Sequence, residues 1–308
     1  MKTRHIKLIG ALAWLCVGPI AGCGDGGDRE DVAPGAGDAG SDAGDDGGAD
    51  GGADGGSAGC TEEGKLVYVV DHDRSLYSFY PPDKDFEHVG IIDCVSAGDP
   101  FSMAVSRDDV AYVLYWGGVG GSCMGINAVS ILDAHCIETT PFQCGQSGFY
   151  TFGMGYATDG ADTSDETLYV GKTDFEDAGG MLASLDTSAW TVEPIGPIAD
   201  APEMTGNANG ELWAFYAWAT PPRVVRLDKI SGEEVASYVL DISSEGSAFA
   251  FAHWGGEFYL FHAPGGADTT VYKLSIDGDE HELVTWMTGT GLTIVGAGVS
   301  TCAPVIPE

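Results

Sequence analysis

A unit of four short strands recurs from about residue 65 onward, and the chain closes on a lone strand that has no unit of its own. The clearest copy spans Ser247 to Thr288: AFAFAHW turns at Gly255-Gly256 into EFYLFHA, followed by TVYKLSID and HELVTWMT. Before it come EMTGN, ELWAFYAW, RVVRLD and EVASYVLDI; then, moving towards the N-terminus, FGMGYATD, TLYVGK, MLASLD and TVEPIGPI, and FSMAVS, VAYVLYW, AVSILD and CIETTPF. The copy nearest the start has only three strands, KLVYVV, SLYSFY and FEHVGIID. Polar and apolar residues alternate with the two-residue period of half-buried strands, broken at short intervals by Gly, Pro, Asn and Asp, and no dozen residues keep a helical period. The lone strand, Gly291 to Cys302 (GLTIVGAGVSTC), is the first strand that the opening unit lacks, so it is predicted to pair with Lys65 to Val70.

A period of roughly 40 to 50 residues with a Leu-Asp turn after the third strand resembles the blade of a β-propeller. The resemblance is one of architecture. The Gly-His and Trp-Asp signatures, the kelch double glycine and the tryptophan-docking quinone motif of particular propeller families are missing. It implies an all-β fold, a five-bladed β-propeller of four-stranded antiparallel blades closed by the C-terminal strand. Six blades is the alternative, with the extra unit between Trp116 and Tyr150. A blade hides its faces only against its neighbours, so the ring must close to remove its last exposed edge.

The domain boundaries follow from composition. Residues 1–22 read as a signal peptide, with basic Lys2, Arg4 and Lys7 ahead of an apolar run from Leu8 to Ile20 that is too short to span a bilayer. Ile20-Ala21-Gly22-Cys23 resembles a bacterial lipobox, which implies lipidation at Cys23 and attachment to a membrane. Gly24 follows where an Asp would favour the inner membrane, so outer membrane or cell surface is the expected home. Residues 23–59 are almost wholly Gly, Ala and Asp and read as a disordered tether, because they carry no apolar surface to offset the entropy of ordering. Residues 60–308 form the propeller domain.

The net charge is −34, and residues 60–308 hold 37 acids against nine bases. Such acidity opposes binding to nucleic acid backbones or to anionic lipid by charge. Of eight Cys, Cys16 leaves with the signal and Cys23 takes the lipid; an even six remain in an exported domain, which points to disulfides. Cys60 precedes the first strand and Cys302 follows the last, so a bond between them would staple the closure. Cys94 with Cys144 and Cys123 with Cys136 are the expected local pairs.

In a propeller, the loops after each second strand and before each first strand share one end of the ring, where ligands commonly bind. That placement draws Asp71, His72, Asp73, Trp116, Lys172, Asp174, Trp218 and His262 to the channel mouth as ligand-binding candidates. Asp71-His72-Asp73 combines imidazole and carboxylates suited to calcium or another divalent metal, against the simpler reading of a polar turn whose acids bond backbone donors. Trp116 and Trp218 suit stacking on a sugar or an aromatic side chain. No cofactor is required. The expected function is a binding or interaction module of the cell envelope for a protein or glycan ligand, of undetermined oligomeric state. The alternatives are a propeller enzyme, such as a metal-dependent lactonase or a glycan-active hydrolase or lyase using Asp71, His72 and His262, and a structural surface protein. Few His and no repeated polar position at the blade starts weigh towards binding.

Overall fold

The computed structural model describes residues 59–95, 98–117, 122–172, 179–246, 248–266 and 268–306. Cys23 and Asp174 lie outside the described residues. Among the described residues, twenty strands form five four-stranded sheets, each antiparallel throughout. Blade I holds β1 (Val67–Asp71), β2 (Ser75–Tyr80) and β3 (Asp85–Ile91), completed by β20 (Ile294–Val299) as its innermost strand. Blade II is β4 (Asp99–Val105), β5 (Val110–Gly117), β6 (Ser122–Ser130) and β7 (Cys136–Thr139); blade III is β8 (Phe152–Thr158), β9 (Glu166–Lys172), β10 (Gly180–Asp186) and β11 (Thr191–Ile198). Blade IV is β12 (Glu203–Gly206), β13 (Leu212–Tyr216), β14 (Arg223–Leu227) and β15 (Glu234–Val239), and blade V is β16 (Ala248–Trp254), β17 (Glu257–Ala263), β18 (Thr270–Asp277) and β19 (Glu280–Met287). The innermost strands β20, β4, β8, β12 and β16 each touch the next, and β16 returns to β20, which makes a closed ring of five. The six-blade alternative fails because β6 and β7 complete blade II within the stretch that was to hold an extra unit.

The alternation of the strands explains why five blades hold together. Each seam has its own apolar core built from both blades: Tyr68 and Val70 with Met103 and Val113 between I and II, Leu114 and Ile126 with Phe152 and Met154 between II and III. Tyr169 and Leu182 meet Met204 and Leu212 between III and IV, Phe215 and Val224 meet Phe251 and Leu260 between IV and V, and Phe261 meets Val67 and Phe79 between V and I. At the axis the strands approach so closely that small residues are obligatory. A Cβ on Gly153 would lie 2.1 Å from the Pro202 carbonyl oxygen, and one on Gly298 would lie 2.9 Å from the Val105 amide nitrogen.

The recurring Leu-Asp after the third strands is a turn device. Asp228 Oδ1 accepts from the Ile230 and Ser231 amides at 2.9 and 2.8 Å, and Asp186 Oδ1 accepts from the Ser188 and Ala189 amides at 2.7 and 3.0 Å. These bonds hold both carboxyls below their ordinary range and close the hairpin into the fourth strand.

Closure follows the expected pairing. β20 runs antiparallel to β1, with Val67 opposite Val299 and Val70 opposite Gly296. Cys60 is bonded to Cys302, with 5.6 Å between their Cα atoms. Around that bond, Ser300 Oγ donates to the Gly64 carbonyl at 2.6 Å and Trp254 Nε1 donates to the Lys65 carbonyl at 2.8 Å. The other two pairings differ from expectation: Cys94 joins Cys136 and Cys123 joins Cys144. Cys136 sits opposite Val129 on β6, six positions from Cys123. At about 3.3 Å per residue that separates them by roughly 20 Å, far beyond the ~6 Å typical between disulfide-linked Cα atoms. Cys136 instead ties the outer strand of blade II to the segment leaving β3.

Two changes separate the covalent lock from the strand it locks. Replacing Cys60 and Cys302 by Ser frees a span of 242 residues and should lower stability by roughly 5 kcal/mol at most while leaving the fold intact. Removing residues 291–308 leaves β1 and the faces of two seams uncovered and should abolish cooperative urea unfolding. A truncated chain with an unchanged midpoint would refute the closure described here.

Candidate functional site

The loops after the second strands do meet the connections that precede the first strands. The Ile92 amide donates to the Arg74 carbonyl at 2.9 Å, Leu240 to Pro222 at 2.9 Å, and Thr269 to Leu292 at 2.8 Å. These contacts define one end of the ring, the loop face.

The acidic and imidazole candidates there are mostly engaged in building their own blades. Asp71 is buried at the end of β1, and its Oδ1 accepts from the Asp73 and Ser75 amides at 2.9 and 2.8 Å. Burial raises its pKa against the pull of those two bonds. It is a turn residue. The next two side chains point outward: His72 Nε2 lies 3.3 Å from Asp73 Oδ1, with side-chain exposures of 60% and 76%. His262, opposite Thr270 and Phe249 in the interior of blade V, is 3% exposed, and burial lowers its pKa despite a backbone hydrogen bond at Glu245. Lys172 ends β9 opposite Phe152 and Met181. Among the described residues, no three of His, Cys, Asp and Glu stand close enough together to hold a metal ion.

The tryptophans behave differently. Trp116 is 39% exposed and tilts against Phe101, ring centres 5.6 Å apart; Trp218 is 40% exposed and stands edge-on to Phe249 at 4.7 Å. Both phenylalanines come from inner strands, β4 and β16. Each indole is thus braced by the ring and half open to solvent. Tyr150, in the connection from blade II to blade III, adds a third exposed aromatic to this face.

Two polar residues of the channel escaped the sequence reading. Ser102 Oγ, on β4, donates to Glu203 Oε2, on β12, at 3.0 Å. Those strands are not neighbours in the ring, so the bond crosses the channel. Both residues are buried, and burial lifts the Glu203 carboxyl well above its ordinary value of 4.5, with the Ser102 bond opposing. The available signal was the acid opening EMTG, where the inner strands β8, β16 and β20 begin with apolar residues.

No protein-family model matches the chain, and no curated protein matches it. Solved structures share the architecture at low similarity. TolB from Acinetobacter baumannii superposes with a TM-score of 0.41 at 12% identity over 71% of this chain, which spans only 52% of that one. A luciferin-regenerating enzyme gives 0.39 at 11% identity, covering 71% of this chain and 90% of that one. The β-propeller domain of the Trilobed protease from Pyrococcus furiosus gives 0.34 at 7%, covering 60% and 56%.

Glu203 makes a pH-dependent prediction. An acid whose folded pKa is raised keeps its proton when the unfolded chain has lost it, so its contribution to stability falls as pH rises above 4.5. Glu203→Gln keeps an oxygen for Ser102 and removes that loss. Its melting temperature should gain on the wild type progressively from pH 4.5 to neutrality; a difference constant across pH would contradict the assignment.

Proposed function

We propose that this chain is an exported, lipid-anchored protein of the bacterial cell envelope whose propeller is a binding module, engaging a protein or glycan partner through its loop face. The observation that carries the reading is the pair of half-exposed indoles, Trp116 and Trp218, each braced against a phenylalanine of an inner strand. Aromatic rings held rigidly at a surface give large contact area at little entropic cost, which is why they dominate binding sites. Three disulfides suit an oxidising compartment. The chain enters the ring at Cys60, beside Thr301 and the Arg107 turn, at the end away from the loop face.

Anchoring and binding are tested separately. Cys23→Ala should move the protein from the membrane fraction to the soluble fraction, with mass spectrometry locating acyl chains on Cys23 of the wild type; an unmodified N-terminus would remove the anchor. For binding, a photo-crosslinking amino acid placed at 116 or 218 should give discrete envelope adducts, whereas the same group at Ile230, 87% exposed in the hairpin between β14 and β15, should not. Identical adduct patterns at all three positions would count against the loop face.

A further inference from the structure

At the end of the ring opposite the loop face, blades IV and V part to leave a cleft of about 440 Å³. Its walls come from five places in the chain: the hairpin between β12 and β13, strands β13 to β15, the β16–β17 hairpin, the β18–β19 hairpin and Val305 after β20. Trp213 is 6% exposed, and its buried indole N–H, near enough to Glu211 to help lower that carboxyl's pKa, has no partner within hydrogen-bond geometry among the described residues. Next to it His253 is 5% exposed and edge-on to Phe258 at 5.1 Å. Burial lowers the His253 pKa to about 4, so the imidazole is neutral at physiological pH and offers one donor and one acceptor.

The polar wall is fixed in advance. Glu211 takes Arg226 Nη1 on Oε1 at 3.0 Å and Asn207 Nδ2 on Oε2 at 2.9 Å. Burial alone would raise Glu211, but these bonds outweigh it and hold the carboxyl below its ordinary range. Asn207 is itself held, its Oδ1 accepting from the Asn209 and Glu211 amides at 3.0 and 3.2 Å. The facing wall is aromatic: Phe258 packs on Trp213 with centres 4.7 Å apart, and Tyr238 is pinned by its hydroxyl to the Gly278 carbonyl at 2.7 Å.

We propose that this cleft is a second binding site, separate from the loop face, and that it takes a neutral saccharide unit. The Glu211 and Arg226 charges compensate each other, and Asp279 on the β18–β19 turn is the one further formal charge in the lining. The strong acidity of the domain disfavours an anion further. What the walls offer is a mixed set of donors and acceptors beside the narrow exposed margins of Trp213, Tyr238 and Phe258, whose rings are otherwise packed on one another. Hydroxyl groups, which donate and accept at once, match the first; the C–H face of a sugar ring matches the second. The volume falls in the range of small-ligand sites. A buried donor without a partner, as at Trp213, is costly to a fold that gains nothing from it.

The experiment uses the full chain, isotope-labelled, with maltose, cellobiose, lactose and chitobiose as probes and a lysine-containing tripeptide and glucuronic acid as controls. At least one neutral disaccharide at millimolar concentration should shift the Trp213 indole N–H resonance, and the controls should not. Trp213→Phe keeps the ring and loses the N–H; Glu211→Gln loses the ion pair. Each should weaken that sugar about tenfold, the worth of one good hydrogen bond. Three results overturn the proposal: no shift with any of the four sugars, a shift at least as large with the tripeptide or the acid, or an affinity unchanged in both variants. Should either variant fail to fold, the wild-type titration still decides.

Discussion

The pairing of β20 with β1 is the interaction on which the rest of this structure depends. Every apolar core in the ring lies at a seam and belongs to two blades, so no blade carries a complete core of its own. In such a ring, the last strand covers faces on both sides of itself: β20 touches β4 on one side and β16 on the other while bonding β1 edge to edge. The sequence separation of that bond is close to the maximum for the domain, which makes its loop-closure entropy large and explains the reinforcement around it. A disulfide, the Ser300 and Trp254 hydrogen bonds, and Arg107 reaching both Thr301 and Cys60 all converge on the same few residues. Glu166, accepting from the Arg107 amide and the Thr301 hydroxyl at 2.8 and 2.7 Å, extends the network to blade III.

Five blades make a narrow ring, and the narrowness has chemical consequences. Gly153 and Gly298 have no room for a side chain because the next inner strand lies where a Cβ would go. The same crowding buries an acid placed there, and desolvation pushes its pKa up. Glu203 is that acid, bonded across the axis to Ser102. A bond between non-neighbouring blades costs little geometry in a ring this tight, and it fixes the spacing of three consecutive inner strands.

The ring was legible because its signals are local and repeated: two-residue alternation, turn residues at short intervals and a unit missing one strand. The candidate residues were legible only in part. That Asp71 would cap its own turn follows from its place two and four residues before the amides it accepts, a pattern readable in any Asx turn. His262 looked like a loop residue because a Pro/Gly stretch follows it, yet strand pairing carries β17 one residue beyond it. The disulfide pairing failed for a different reason. Sequence spacing places Cys123 and Cys136 close in the chain, but a strand separates positions by about 3.3 Å each, and only the register says which end of β6 each residue faces.

The cleft between blades IV and V was not legible at all, and its construction shows why. Asn207 and Glu211 belong to one hairpin, Arg226 to the third strand of the same blade, and His253 and Phe258 to the first two strands of the next. No spacing in the chain relates the two blades, because only the seam brings them together. In a repeat fold, the residues that build each blade are set by its own period, while those that meet at a seam are set by how neighbouring units pack. A binding site at a seam is therefore free to vary without disturbing the repeat. Blade IV opens that seam with a polar hairpin, in which Asn207, Asn209 and Glu211 are bonded largely to one another. The blade keeps its strands and its core, and the polar chemistry is carried where the repeat exerts least control.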